Sequence, residues 1–282
     1  MSLTTDRAMP ADKVGLIAGN GQFPLIFAQE AKQAGVRVIA VAHLGETLEE
    51  IEHYVDELTW IRIGELGKII RTFQGAGVKY AVMAGGIRKV RLFSNFRPDL
   101  RGLAFLARMK SREDDQLLRG IATELEKDGI EVLESTLFLG QIIPGERGSL
   151  ARREPTPEEW QDVKLGVQVA KRLGELGVGQ TVVAKRGVIL AVEAVEGTDA
   201  AIRRGGELVQ GGVVVVKMSK PQQDLRFDVP AVGVHTMEVL HEVGGGVLAV
   251  ERGRSILLEK DELLEMADRH GIAVVAVSLE DA

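Results

Sequence analysis

The chain has 282 residues, 45% of them hydrophobic and only 4% aromatic, with a net charge of −6 and no cysteine. That length makes one large or two ordinary domains; the charge argues against a general nucleic-acid binder, and the few aromatics argue against a base-stacking platform. The missing cysteines exclude disulfides and thiolate chemistry and fit a reducing cytoplasm, while the lack of a run of about 18 uncharged apolar residues excludes a membrane-crossing helix.

The N-terminal stretch "MSLTTDRAMPADK" is polar and lacks a signal-peptide core. Val14 to Ala18 then reads as a short buried strand, Gly19 and Gly21 as a turn, and Pro24 as the first turn of a helix that Gly35 closes. "VRVIAVAH" and "LTWIRIG" are the next strands, "GKIIRTFQGAG" a helix, and "KYAVMAGG" a fourth strand ending in Gly85 and Gly86. Strands alternating with helices predict a parallel sheet with crossover connections. After the basic stretch "IRKVRLFSNFRPDLRG" comes the helix "SREDDQLLRGIATELEKDG", with Asp114, Leu118, Ile121 and Leu125 on one face. Capping from Ser111 to Asp114 accounts for the carboxylate there. "EVLEST" is a strand.

The Gly- and Pro-rich stretch "GQIIPGERGSLARREPTP" is the candidate linker. Thr156 and Glu159 form a capping box with Pro157 at the first helical position. "TVVAKRGVILAVEAVEG" reads as a hairpin turning at Arg186-Gly187, "TDAAIRRGG" as a helix capped by Thr198, and "GGVVVVKM" as a strand. "HTMEVLHEVGGG" is a helix, "GVLAVERGRSILLE" a second hairpin, "KDELLEMADRHG" a helix and "IAVVAVSL" a last strand. The expected class is α/β: a Rossmann-like parallel-sheet domain over residues 1–135, a linker region over 136–155, and a catalytic, mixed α/β domain over 156–282.

Gly19, Asn20 and Gly21 open a helix after the first strand, so backbone N–H groups there suit a phosphate. A nicotinamide fingerprint needs a third glycine where Pro24 stands, and a carboxylate ending the second strand, which stops at His43. An NAD(P)-dependent oxidoreductase is thereby disfavoured. A tight turn without ligand fits this motif equally well. Gly85 and Gly86 fall on the same edge of the sheet, where ligands of open α/β sheets bind. Arg88, Lys89 and Arg91 follow them, either as ligand-binding cations or as a solvated loop.

"KMSKPQQDLRFDVPAVG" carries the densest chemistry. Pro221 and Pro230 disfavour a helix, and an extended chain points Asp224, Arg226 and Asp228 one way and Leu225, Phe227 and Val229 the other. A solvated charged strand has the same pattern. Residues four apart in a strand lie about 13 Å apart, so both aspartates cannot chelate one ion unless the segment bends. Mg²⁺ takes only one or two protein carboxylates. Asp224 with Glu196 or Asp199, from "EAVEGTD", supplies a candidate set, and Glu193 lies in the same stretch. Thr198 and Asp199 have an alternative task at a helix start. Lys217 and Lys220 offer point charges to phosphate.

Four blocks, "GLIAGNGQFPLIFAQEA", "DDQLLRG", "AVEAVEGTDAAIRRGG" and "KMSKPQQDLRFDVPAVG", in this order and spacing resemble the LpxI family, the UDP-2,3-diacylglucosamine pyrophosphatases of lipid A biosynthesis. The resemblance runs from about Lys13 to Leu279. It implies Mg²⁺-dependent attack of water on the α-phosphorus of a UDP-sugar lipid, releasing UMP and 2,3-diacylglucosamine 1-phosphate (lipid X). It places the essential aspartate on Asp224, with Asp228 the second choice. The residues themselves agree in kind: a phosphoanhydride needs cations to offset its charge, and Lys217, Lys220 and Arg226 would neutralise its oxygens. The glycine turns and Thr198 join the expected substrate contacts. A non-catalytic nucleotide-sugar binder is the alternative. The expected partner is a small glycolipid nucleotide and no nucleic acid. The expected setting is the cytoplasm, with loose peripheral contact at the inner membrane and a homodimeric assembly.

Overall fold

The computed structural model describes residues 12–87, 96–109, 114–227 and 229–281. Asp228, Arg88, Lys89, Arg91, Ser111 and the side chain of Asp114 lie outside the described residues.

The chain divides into two compact units. The first runs to Leu139 and also takes in the segment that starts at Asp224. The second starts at Gly140, continues to Gln223 and resumes at Val229.

In the first unit, β1 (Lys13–Ala18), β2 (Arg37–His43), β3 (Glu57–Ile61), β4 (Tyr80–Ala84) and β5 (Glu131–Val132) form a sheet in the order β3-β2-β1-β4-β5. Every pairing in it is parallel. Strands of a parallel sheet are covered on both faces, so they read as near-continuous apolar runs. Here Val14, Leu16 and Ala18 pack with α1 (Phe23–Gln33) on one side. Ile17, Ile39 and Val41 pack with α2 (Leu66–Gly75) on the other. Gly35, past the end of α1, has φ +76° and stops the helix as expected. A helix missed in the sequence, α3 (Leu100–Arg108), begins at the end of the basic stretch, and its Asp99 cap accepts from the Gly102 N–H at 2.8 Å. The next helix is α4 (Asp114–Glu126).

The second unit has a six-stranded sheet in the order β6-β13-β11-β9-β7-β8. Its strands are β6 (Gly148–Ser149), β7 (Thr181–Lys185), β8 (Val188–Val192), β9 (Val214–Lys217), β11 (Val247–Glu251) and β13 (Ala273–Val277). The three strands β9, β11 and β13 run parallel, and β7 is antiparallel to both β9 and β8. The first predicted hairpin forms. Arg186 and Gly187 both take positive φ, and the buried Asp162 of α5 (Pro157–Glu175) accepts from their N–H groups at 2.8 and 2.6 Å. The predicted capping box of Thr156 and Glu159 is present.

The second predicted hairpin does not form. β11 lies between β9 and β13, and β12 (Ile256–Leu257) leaves to pair in parallel with β10 (Ala231–Val232) in a separate small sheet. The cause is burial: all five residues of β11 are buried, which suits a central parallel strand and not an alternating hairpin arm. One side of this sheet is covered by α5. The other packs against α6 (Thr198–Glu207), α7 (Val234–Glu242) and α8 (Lys260–His270).

Candidate active site

Parallel strands end together, and ligands of such sheets gather at their carboxyl ends. In the first unit that edge carries both predicted glycine turns, and they interlock. Gly19 N–H donates to Ala84 O and Asn20 N–H donates to Gly86 O, each at 2.8 Å. A Cβ on Gly19 would sit 2.4 Å from Gly86 O, and one on Gly85 would sit 2.4 Å from Asn20 O. These glycines are therefore required for backbone contact between the two turns. The N–H groups of residues 19 and 20 are spent on the neighbouring turn, while Gly21 is exposed.

The same edge holds a carboxylate that the sequence does not single out. Glu46, just beyond β2, is buried and accepts from the Asn20 side-chain amide at 3.4 Å. Beside it, Thr47 Oγ1 and the His43 ring both bond Ala18 O, at 2.7 and 2.9 Å. Burial pushes the His43 imidazole below its ordinary value, and the bond to Ala18 opposes this only in part.

Asp224, Leu225, Arg226 and Phe227 form a turn, not the predicted extended strand. Phe227 N–H bonds Asp224 O at 3.0 Å, and Leu225 O accepts from both the N–H and the hydroxyl of Ser135. The two flanking prolines excluded a helix but did not select a strand. Phe227 packs into the core of the first unit, and the Arg226 guanidinium stacks 4.8 Å above its ring. The separation of about 13 Å inferred for Asp224 and Asp228 assumed an extended chain, and that premise fails over 224–227.

Asp224 and Arg226 do face each other. Arg226 Nε and Nη2 donate to the two carboxylate oxygens at 3.0 and 2.9 Å, a bidentate fork. The Arg226 backbone N–H adds a bond to Oδ1 at 3.2 Å, and Arg119 Nε of α4 lies 3.7 Å from Oδ2. The Arg226 guanidinium holds the Asp224 carboxyl below the usual carboxylate range. Glu126 Oε1 lies 3.4 Å from the other arm of Arg226. Sequence reasoning missed Arg119, although it lies in the block "DDQLLRG".

In the second unit the carboxyl edge gathers buried polar groups. β8 ends just before Glu193, β9 ends at Lys217 and β11 ends at Glu251, while the antiparallel β7 begins there with Thr181. All four are buried. Thr198 does not cap α6, because Gly197 takes the cap position and Thr198 is the first helical residue. Its hydroxyl instead donates to Glu193 Oε1 at 3.1 Å and accepts from Lys217 Nζ at 3.0 Å. Thr181 Oγ1, at 3.3 Å, supplies the other bond it can accept. Lys217 also donates to Ala231 O at 2.9 Å. Glu251 Oε2 takes the Ser219 N–H and fixes the chain leaving β9. Lys220 is half-buried, and its N–H bonds Gln223 Oε1 at 2.8 Å.

The two other metal candidates have polar partners. Glu196 pairs with Arg204 at 2.7 Å, and Asp199 accepts from Thr236 Oγ1 at 2.8 Å with His235 Nε2 at 3.5 Å. Among the described residues no three histidine, aspartate or glutamate side chains converge as a metal cage. A carboxylate offers about four acceptor positions. Asp224 uses two on Oδ1 and one on Oδ2. One position on Oδ2 is then left for a water or for a hard ion such as Mg²⁺, and Arg119 Nε stands 3.7 Å from that oxygen.

Among the described residues no helix is long and apolar enough to cross a membrane. The chain is 33% identical to the UDP-2,3-diacylglucosamine pyrophosphatase LpxI of Caulobacter vibrioides, over 95% of this chain and 99% of that one. Among solved structures it is similar to CobK precorrin-6A reductase, with TM-score 0.30, 12% identity, and 95% and 88% of the two chains covered. It is also similar to the biotin carboxylase subunit of pyruvate carboxylase, with TM-score 0.26, 13% identity, and 64% and 35% covered. At such scores neither structural likeness bears on fold or function. The family model described as the LpxI N-terminal domain matches residues 13–142, the model of the LpxI C-terminal domain matches residues 146–275, and the chain thus belongs to the LpxI family.

Proposed function

We propose that this protein hydrolyses the pyrophosphate of UDP-2,3-diacylglucosamine, with water attacking the α-phosphorus to release UMP and 2,3-diacylglucosamine 1-phosphate. The observation that carries the reading is the relation, over nearly both whole chains, to the Caulobacter UDP-2,3-diacylglucosamine pyrophosphatase. Asp224 is the acidic group at the centre of the reaction. Its guanidinium partner keeps it ionised at neutral pH, so it can accept a hydrogen bond from the attacking water and orient it. The fork from Arg226 fixes the carboxylate plane, which gives that water one approach.

Arg226, Lys217 and Lys220 are the cations assigned to the diphosphate, whose charge rises on the leaving oxygen as the bond breaks. Mg²⁺ would supply further charge neutralisation, with Asp224 serving either as its ligand or as the group that orients the water. Asp228, Glu196 and Asp199 are the remaining candidates for its shell. The substrate's acyl chains call for a peripheral contact with the cytoplasmic face of the bilayer, and a homodimer is the proposed assembly.

Turnover in ¹⁸O-water tests the chemistry. Label is expected in UMP and absent from lipid X. Label in lipid X, or release of UDP by cleavage at the sugar carbon, overturns the proposed attack. Tight substrate binding without any turnover would make the protein a binder instead.

A further inference from the structure

Glu193 has no assigned role in the reaction, and its setting is costly. It is 9% exposed, and its Oε2 is buried without a hydrogen-bond partner among the described residues. Its Oε1 is spent on the Thr198 hydroxyl. A glutamine would accept the same hydrogen bond without burying a charge. Removing an ion from water carries a large penalty even after relaxation, and an unmatched buried acceptor adds to it. A network that served only to hold β8, α6 and β9 together has no use for the negative charge.

Among the described residues the charge has one clear counterpart. Thr198 Oγ1 passes its proton toward Glu193 and receives the Lys217 ammonium on its lone pair. Lys217 is 7% exposed and ends β9 at the carboxyl edge of the sheet. The carboxylate thus lies one hydroxyl away from a buried ammonium. With Thr181 supplying a further bond, the Thr198 hydroxyl is saturated and has a single orientation. The ammonium of a lysine is otherwise a flexible point charge on a four-carbon stem.

We propose that Glu193 is a positioning residue for the phosphoryl chemistry: through Thr198 it fixes the buried Lys217 ammonium at the site where the substrate's diphosphate is neutralised. This rests on the proposed hydrolysis. A pre-set cation stabilises developing charge without reorganising at the moment of reaction, so the gain belongs in kcat more than in KM.

Steady-state kinetics on the full chain with UDP-2,3-diacylglucosamine test it, with the thermal midpoint recorded for every variant. Glu193→Gln keeps the bond from Thr198 but removes the charge, and kcat is expected to fall on the order of 10- to 100-fold with KM little changed. Thr198→Val should match it, and Thr198→Ser, which restores the hydroxyl, should recover most of the rate. Lys217→Met should be at least as slow, and adding Glu193→Gln to Lys217→Met should cost no more than about twofold further, because the two residues act as one unit.

Wild-type kcat in Glu193→Gln, multiplicative losses in the double variant, or no rescue by Thr198→Ser each overturns the proposal. If Glu193→Gln fails to fold, the Thr198→Val and Thr198→Ser pair decides alone. Failure of the wild-type chain to release UMP would sink the hydrolase reading itself; an active wild type with an unaffected Glu193→Gln sinks only the positioning role.

Discussion

Replacing Gly85 with alanine tests whether the two glycine turns of the first unit exist to meet each other. A Cβ there would lie 2.4 Å from Asn20 O and 3.0 Å from the Gly19 carbonyl carbon. Both are backbone atoms, so neither can rotate aside. The native φ of +79° adds a second cost. Left-handed backbone costs an alanine about 1–2 kcal/mol, and overpacking a filled site costs about 1–3 kcal/mol. Gly85→Ala should therefore lose about 2–5 kcal/mol. Two controls separate the contributions. Gly21 has φ +83° but nothing within 4 Å of where a methyl would stand, so Gly21→Ala should lose only the conformational part, about 1–2 kcal/mol. Gly19 has no left-handed φ, yet its Cβ would meet Gly86 O at 2.4 Å, so Gly19→Ala should lose only the contact part. Urea unfolding followed by circular dichroism measures each loss as a shift in midpoint at constant m. If Gly85→Ala and Gly21→Ala lose the same amount, or Gly19→Ala matches wild type, the interlock is wrong. A turn used only to cradle phosphate would instead raise KM, with Gly85→Ala shifting the midpoint no more than Gly21→Ala does.

Asp224→Ala should lower UMP release by at least about 100-fold while costing about 1 kcal/mol or less of stability, because its partner Arg226 is partly exposed; a wild-type rate moves the role to Asp228. EDTA should abolish turnover and added Mg²⁺ should restore it, with activity that survives chelation removing the metal from the reaction. His43 is held neutral by burial, so the unfolded chain takes up a proton first as pH drops below about 6.5. Stability present above that pH is then lost on acidification, and a urea midpoint followed from about pH 7.5 to 5.5 should decline less in His43→Gln than in wild type.

The first unit was legible because its central strands are short apolar runs punctuated by glycine. Val14–Ala18 and Tyr80–Ala84 could hardly be anything else, and their common edge followed from chain alternation alone. The second unit was harder. Val247–Glu251 and Ile256–Leu257, separated by an Arg-Gly turn, have the local grammar of a hairpin. What decides against it is the covering of β11 on both faces, a fact about neighbours far away in sequence. At Asp224 and Arg226 the sequence supplied the right pair for the wrong reason. Residues two apart share a face in a strand, yet here a turn brings them together, with the guanidinium reaching both oxygens. Glu46 escaped notice because it lies three residues beyond the last residue of β2 and folds back toward Asn20. Thr198 looked like a cap because threonine so often is one; a positive-φ glycine had taken that position, leaving the hydroxyl for the ammonium behind it.

The segment beginning at Asp224 completes a unit whose other described residues end at Leu139. Its anchoring bonds are 90 residues apart for Ser135 with Leu225 and 100 apart for Glu126 with Arg226. During synthesis the ribosome releases the strands of the first sheet well before it has made the piece that closes them. At about 5–20 residues per second, that interval is about 5–20 s. Over that time the apolar surface that Phe227 packs against stands open and Arg119 waits for Asp224. A nascent chain of this kind offers holdase chaperones a defined window, and a stall or frameshift between the two points yields a nearly complete sheet without Asp224 or Phe227.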